Sequence, residues 1–318
     1  MSKVRSYLSL IKFSHTIFAM PFALIGFFIP ASNLIRQYLK NESFCCIEGY
    51  EVHASRVIGF MYPPTSFSVL LVRLAFVIGC MIFIRSAAMA FNRYLDRQYD
   101  ARNPRTAVRE IPKGIITPAN ALLFTIISSL LFVVCTYFIN RLCFYLSPVA
   151  LAVVLGYSYT KRFTPLCHLI LGVGLALAPI GAYLAVTGMF ALLPILFSLA
   201  VLFWVSGFDI IYALQDEEFD KENKLYSIPA WLGKAKALRV SELLHLLSAT
   251  AVIYAGYYGQ FGWLYWIGAA IFILMLGYQH SVVKPNDLRR VNLAFMTANG
   301  IASVVFAIFV IADLFLNR

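Results

Sequence analysis

Nine apolar runs of about 20 residues, each closed by a polar segment, constrain this chain more than anything else in it. A helical run of that length matches the hydrocarbon thickness of a bilayer. Within a bilayer every backbone N–H and C=O must be satisfied inside the segment or around a closed barrel. The period-two alternation that barrel strands need is absent. The expected fold is therefore all-α: one integral membrane domain over residues 1–318, with nine transmembrane helices. The runs fall at 13–35, 68–91, 118–139, 142–159, 166–187, 190–214, 241–259, 263–280 and 291–316. At 61% hydrophobic and 13% charged residues, the chain is too apolar for a soluble domain of 318 residues.

The net charge of +11 would suggest a nucleic-acid partner in a soluble domain. Here the basic residues gather in alternate segments: Lys3, Arg5 and Lys12, then 92–116, Lys161 and Arg162, 215–239, and 284–290. That bias orients the chain with its N-terminus inside and its C-terminus outside, and no nucleic acid is needed to explain it. The first run lacks a small-residue cleavage site and reads as a span, not a removed signal. The six cysteines, Cys45, Cys46, Cys80, Cys135, Cys143 and Cys167, have no zinc or iron–sulfur spacing. His53, His168, His245 and His280 have none either.

Chemistry concentrates at the inner ends of two runs. Asn92, Asp96 and Asp100 follow one another at intervals of four, which stacks three oxygen-bearing side chains on one helix face. Arg93, Arg97, Arg102, Arg105 and Arg109 surround them. Carboxylates at the edge of a bilayer are costly and demand cations. A hard oxygen surface of this kind suits Mg²⁺, and the arginines suit phosphate carried by it. Asp216 and Asp220 repeat the interval of four, with Asp209 two turns earlier on the same face. Arg85 stands before Asn92 as Asp209 stands before Asp216, so the two halves echo each other around one shared site.

At these residues the sequence resembles the UbiA superfamily of intramembrane aromatic prenyltransferases. Asn92-Arg-Tyr-Leu-Asp96-Arg-Gln-Tyr-Asp100 is similar to the family's first motif, and Asp209, Tyr212, Asp216 and Asp220 to its second. Tyr157, Lys161 and Arg162 match a Tyr-x-x-x-Lys-Arg element. The stretch 101–114, ARNPRTAVREIPKG, and the opening IKFSHTIFAMPFAL look like bacterial 4-hydroxybenzoate polyprenyltransferases and related enzymes of the futalosine route to menaquinone. Many members carry Asp after the first Asn; Arg93 stands there, as in that subgroup. The loop 36–66 is longer than the family leads one to expect, and lies on the face opposite the motifs.

The resemblance implies nine helices around a central cavity, and Mg²⁺-dependent transfer of a polyprenyl chain from its diphosphate to 4-hydroxybenzoate or 1,4-dihydroxy-6-naphthoate in quinone biosynthesis. It implies Mg²⁺ on Asn92, Asp96, Asp100, Asp216 and Asp220, and diphosphate donors at Lys12, Arg97, Arg109, Lys161 and Arg162. Asp209, with Tyr212, would remove or orient the phenolic proton, and Arg85 would pair with the acceptor carboxylate. The setting would be a bacterial inner membrane, active site on the cytoplasmic side, with no protein partner implied. A secondary transporter is the competing reading, because intramembrane carboxylates and pseudo-repeats suit that class too. Coupling sites of transporters tend toward the midplane, whereas these clusters lie at helix ends.

Overall fold

The computed structural model describes residues 3–10, 18–39 and 67–317. Lys12, Cys45, Cys46 and most of the loop 36–66 lie outside the described residues. Among the described residues there is no strand, only an isolated bridge between Lys284 and Asp287. In chain order the α-helices are α1 (Lys3–Leu10), α2 (Met20–Leu39), α3 (Phe67–Leu95), α4 (Arg97–Arg102), α5 (Pro118–Ile139), α6 (Arg141–Thr160) and α7 (Cys167–Thr187). There follow α8 (Leu192–Ala213), α9 (Glu217–Glu222), α10 (Ile228–Leu232), α11 (Lys234–Tyr258), α12 (Trp263–Val282) and α13 (Asn299–Leu316). A 3₁₀ turn, Leu214–Asp216, joins α8 to α9, and a π-helical turn, Leu293–Ala298, leads into α13.

Among the described residues eight helices are long and apolar enough to cross a membrane. The 20-residue α2 takes the place expected of the first span and packs against α7 and α13. Most expected boundaries lie within a few residues of the observed ones. One difference is α11, which begins at Lys234 and not at 241, because the charged loop before it folds into α9 and α10. Arg73, an arginine inside a span, donates to the carbonyls of Ala185 (3.3 Å) and Val186 (3.2 Å), the open end of α7.

The helices pack as α3 on α5, α7 on α8, α8 on α11, and α12 on α13. Phe22, Trp204, Phe272 and Phe306 are fully buried and fasten α2, α8, α12 and α13 together. Two glycines set the closest approaches. A Cβ on Gly26 would lie 2.0 Å from the Pro179 carbonyl oxygen, and one on Gly172 would lie 2.6 Å from that of Leu202. Only bare backbone fits at those crossings. Gly174 and Gly181 do not do the same: a Cβ meets ordinary contact at the first and open space at the second.

The two halves end alike. α3 breaks at Asp96 (φ −88°, ψ 8°) before the six-residue α4, and α8 breaks at Asp216 (φ −103°, ψ 3°) before the six-residue α9. Each acidic residue thus occupies the hinge between a span and a short helix. The spacing of four survives the first break, because Asp96 N–H still donates to Asn92 O and Asp100 N–H to Asp96 O.

Candidate active site

The α3 and α8 ends converge on one cavity of about 280 Å³, lined among others by Asn92, Asp96, Asp100, Asp209, Asp216 and Asp220. The chain supplies a cation for each of Asp96, Asp100, Asp216 and Asp220. Arg162, just past α6, reaches Asp96 Oδ1 (3.1 Å) and Leu95 O (3.1 Å). Its neighbour Lys161 meets Asp220 Oδ1 at 2.7 Å. Arg109, in the loop after α4, pairs with Asp100 Oδ1 at 2.6 Å. Arg105 donates from Nε to Asp216 Oδ1 (3.0 Å), from Nη2 to Asp216 Oδ2, and from Nη1 to Tyr212 Oη (2.8 Å). Asn103 adds a bond to Asp216 Oδ1 at 3.1 Å. The loop after the first motif thus grips the second, which brings the two into one site.

These environments shift protonation outside the spans. Burial pushes the Asp96 carboxyl up to about 6, with Arg162 working against the rise. Burial pulls the Lys161 ammonium down, but Asp220 outweighs it and holds the group above its usual range. Arg105 is likewise held up by Asp216 and Tyr212 against its own burial.

Asn92, Arg85, Arg109, Lys161, Arg162, Asp209 and Tyr212 all line the cavity. Arg97 does not; its guanidinium donates to Tyr94 O (2.7 Å) and lies over the Tyr94 ring. Arg105 is expected from the sequence only as one of the arginines around the first motif, and nothing there marks Asn103; both sit in the stretch that follows that motif. His168 was set aside for want of metal spacing, yet its Nδ1 lies 2.7 Å from Asp209 Oδ2. A separation of 41 positions leaves no periodic trace.

Arg85 stands at the joint of two spaces. It lines the polar cavity and also an apolar one of about 360 Å³ between α3, α5, α6 and α7. Tyr157, Met89, Leu171 and Leu175 line both. The Arg85 Nε is buried with no hydrogen-bond partner among the described residues. A buried guanidinium with a spare donor is costly unless an anion meets it there.

Four carboxylates and one amide make a hard-oxygen donor set. Asp100 Oδ2 is buried and takes no hydrogen bond among the described residues, so one donor atom stands ready for a cation. Among the described residues no three acidic, histidine or cysteine side chains form a finished metal cage. The set fits an ion that arrives with its own oxygen ligands, as Mg²⁺ does with a diphosphate.

The chain is similar to known proteins over most of its length. Residues 55–301 match the UbiA prenyltransferase family. The 4-hydroxybenzoate octaprenyltransferase of Nitrosomonas europaea is 32% identical over 242 residues, 76% of this chain and 82% of that protein. The protein of the same name from Tolumonas auensis is 30% identical, over 76% and 83%. Among solved structures, the apo form of a UbiA homolog from Aeropyrum pernix K1 superposes with a TM-score of 0.72 at 25% identity, covering 95% of this chain and 98% of that one. A UbiA homolog from Archaeoglobus fulgidus bound to DMAPP and Mg²⁺ gives 0.68 at 18% identity, covering 98% and 99%. Two acidic helix ends around one cavity, and a family match spanning both, agree: this chain belongs to the UbiA prenyltransferase family.

Proposed function

We propose that this protein transfers a polyprenyl chain from its diphosphate to the ring of an aromatic acid, with 4-hydroxybenzoate as acceptor and 1,4-dihydroxy-6-naphthoate as the alternative. The observation that carries the reading is the junction at Arg85 between a charged cavity and an apolar one. The substrate has the same two parts, a diphosphate and an isoprenoid. The relatives named for 4-hydroxybenzoate support the acceptor.

Mg²⁺ bound by Asn92, Asp96, Asp100, Asp216 and Asp220 would supply Lewis-acid neutralisation of the diphosphate. Arg105, Arg109, Lys161 and Arg162, which line the same cavity, would donate to the phosphate oxygens, where negative charge grows as the allylic C–O bond breaks. The electron pair leaves with the diphosphate. The allylic carbon bonds to a ring carbon of the acceptor, and the displaced ring proton passes to the released diphosphate, which restores aromaticity. Arg85 holds the acceptor carboxylate, and Asp209 with Tyr212 takes or orients the phenolic proton. Phe208 and Phe295, with Tyr157, wall the charged cavity with ring faces that tolerate a cation and exclude water. The basic segments support a cytoplasmic active site in a bacterial inner membrane.

The test is an assay of purified protein in lipid with Mg²⁺, one polyprenyl diphosphate and a panel of hydroxybenzoates and dihydroxynaphthoates. Product mass and released diphosphate are read together. A prenylated 4-hydroxybenzoate is expected. Substrate accumulation in vesicles without diphosphate release would make the protein a transporter instead.

A further inference from the structure

The α7 histidine His168 is buried and lies in the second position of its helix. Its ring touches two partners. Nδ1 lies 2.7 Å from Asp209 Oδ2, and Nε2 accepts the Ile228 backbone N–H at 3.4 Å. A nitrogen that accepts cannot carry the proton, so the neutral ring holds its proton on Nδ1 and donates it to Asp209. The Asp209 side chain remains 25% exposed and lines the cavity, and its Oδ1 takes no hydrogen bond among the described residues. Ser206 Oγ donates to the His168 carbonyl at 3.2 Å and fixes the backbone of α7 against α8.

Ile228 opens α10, and Ser227, its cap, donates from Oγ to Asp220 Oδ2 at 2.8 Å. A single turn, Ser227–Ile228, therefore ties down both ends of the site. It reaches Asp220 directly and Asp209 through the imidazole.

We propose that His168 is a positioning residue for the transfer reaction: its Nδ1–H, locked by the Ile228 amide, anchors one oxygen of Asp209 and leaves the other presented to the aromatic acceptor. This rests on the reading of Asp209 as the acceptor-side acid. A carboxylate anchored by one buried donor and open on its other oxygen can accept a proton without first rearranging. The same bond keeps Asp209 from turning to the cations that serve the diphosphate.

The experiment compares His168→Asn, His168→Gln and Asp209→Asn in the full-length protein in lipid, with Mg²⁺, a polyprenyl diphosphate and 4-hydroxybenzoate. Asn places its amide N–H near the position of Nδ1; Gln places its amide near Nε2. Two readouts are taken: kcat and KM for each substrate, and Mg²⁺-dependent binding of a non-transferable thiodiphosphate analogue. His168→Asn is expected to stay within a few-fold of wild type. His168→Gln is expected to lose roughly 10- to 100-fold in kcat, the worth of one charge-assisted hydrogen bond, with analogue binding unchanged. Equal activity of the two variants, or loss of analogue binding in step with kcat, would overturn the assignment and leave His168 a packing residue. Wild-type turnover by Asp209→Asn would instead sink the acceptor-side reading of Asp209 itself. Loss in Asp209→Asn with full activity in His168→Gln would keep that reading and remove only the histidine.

Discussion

Asp96 carries two opposed demands. Burial beside the bilayer edge disfavours its charge, whereas Arg162 and a bound cation need that charge. In the ligand-free protein folding raises this carboxyl from 3.8 to about 6. The folded state therefore holds the proton more tightly than the unfolded one. Its contribution to stability is complete below the unfolded value and is lost as pH climbs through about 6. Asp96→Asn should flatten that part of a melting-temperature profile taken without Mg²⁺ or substrate, and an unchanged profile would show the carboxyl is not strained. The same variant, and Asp216→Asn, should abolish Mg²⁺-dependent transfer; near-normal turnover in both would remove them as ligands. Arg85 makes a different prediction. Because its Nε has no partner among the described residues, Arg85→Met should cost little stability. It should raise the acceptor KM roughly 10- to 100-fold, as expected for one charge-assisted bond, and leave the diphosphate KM alone. A fall in kcat with unchanged acceptor KM would place the guanidinium elsewhere in the reaction.

The spans could be read from the sequence because bilayer thickness dictates their length, and no neighbour can override that. What could not be read is where a helix departs from regularity. The π-helical turn Leu293–Ala298 holds no glycine or proline of its own to announce it. Its stability comes from partners distant in sequence. Asn299 Nδ2 donates to Ala294 O (3.3 Å) and Phe295 O (3.0 Å), and its Oδ1 accepts from Trp204 Nε1 (2.8 Å) and Gln279 Nε2 (2.8 Å). The wider turn presents Phe295 to the active site, with its ring centroid 4.3 Å from that of Tyr212. π-turns often occur beside functional sites for this reason. Asn299→Leu removes a fully buried hub and should lower stability by about 1 to 2 kcal/mol, toward the lower end because neighbouring helices offer substitute partners. Thermal unfolding in detergent measures the loss. No change in melting would mean the turn is held by packing alone.

Across the whole molecule, the two acidic motifs were readable as a pair because each repeats its own local spacing. Their meeting was not written in either one. It depends on Arg105 reaching Asp216, on Arg162 reaching Asp96, and on Lys161 reaching Asp220, contacts that tie α3, α6 and α8 into one rim. The apolar cavity behind that rim was equally hidden, since hydrophobic side chains that line a space and those that fill one look alike in sequence. Gly181 shows the difference. It lines the apolar cavity, and a Cβ added there meets nothing within 4 Å, so this glycine leaves space open where Gly26 and Gly172 close helix crossings. A large side chain at 181 should therefore be accommodated by the fold and paid for by the cavity. Gly181→Phe is expected to melt near the wild-type temperature and to keep transferring a short prenyl group such as farnesyl. It should discriminate strongly against an octaprenyl chain, read as the ratio of kcat/KM for the two diphosphates. The charged end, untouched by the substitution, should bind Mg²⁺ and diphosphate as before, which separates a shortened cavity from a damaged one. If long and short chains are used in the wild-type ratio, the isoprenoid does not enter between α3, α5, α6 and α7, and its path must open elsewhere among the helices.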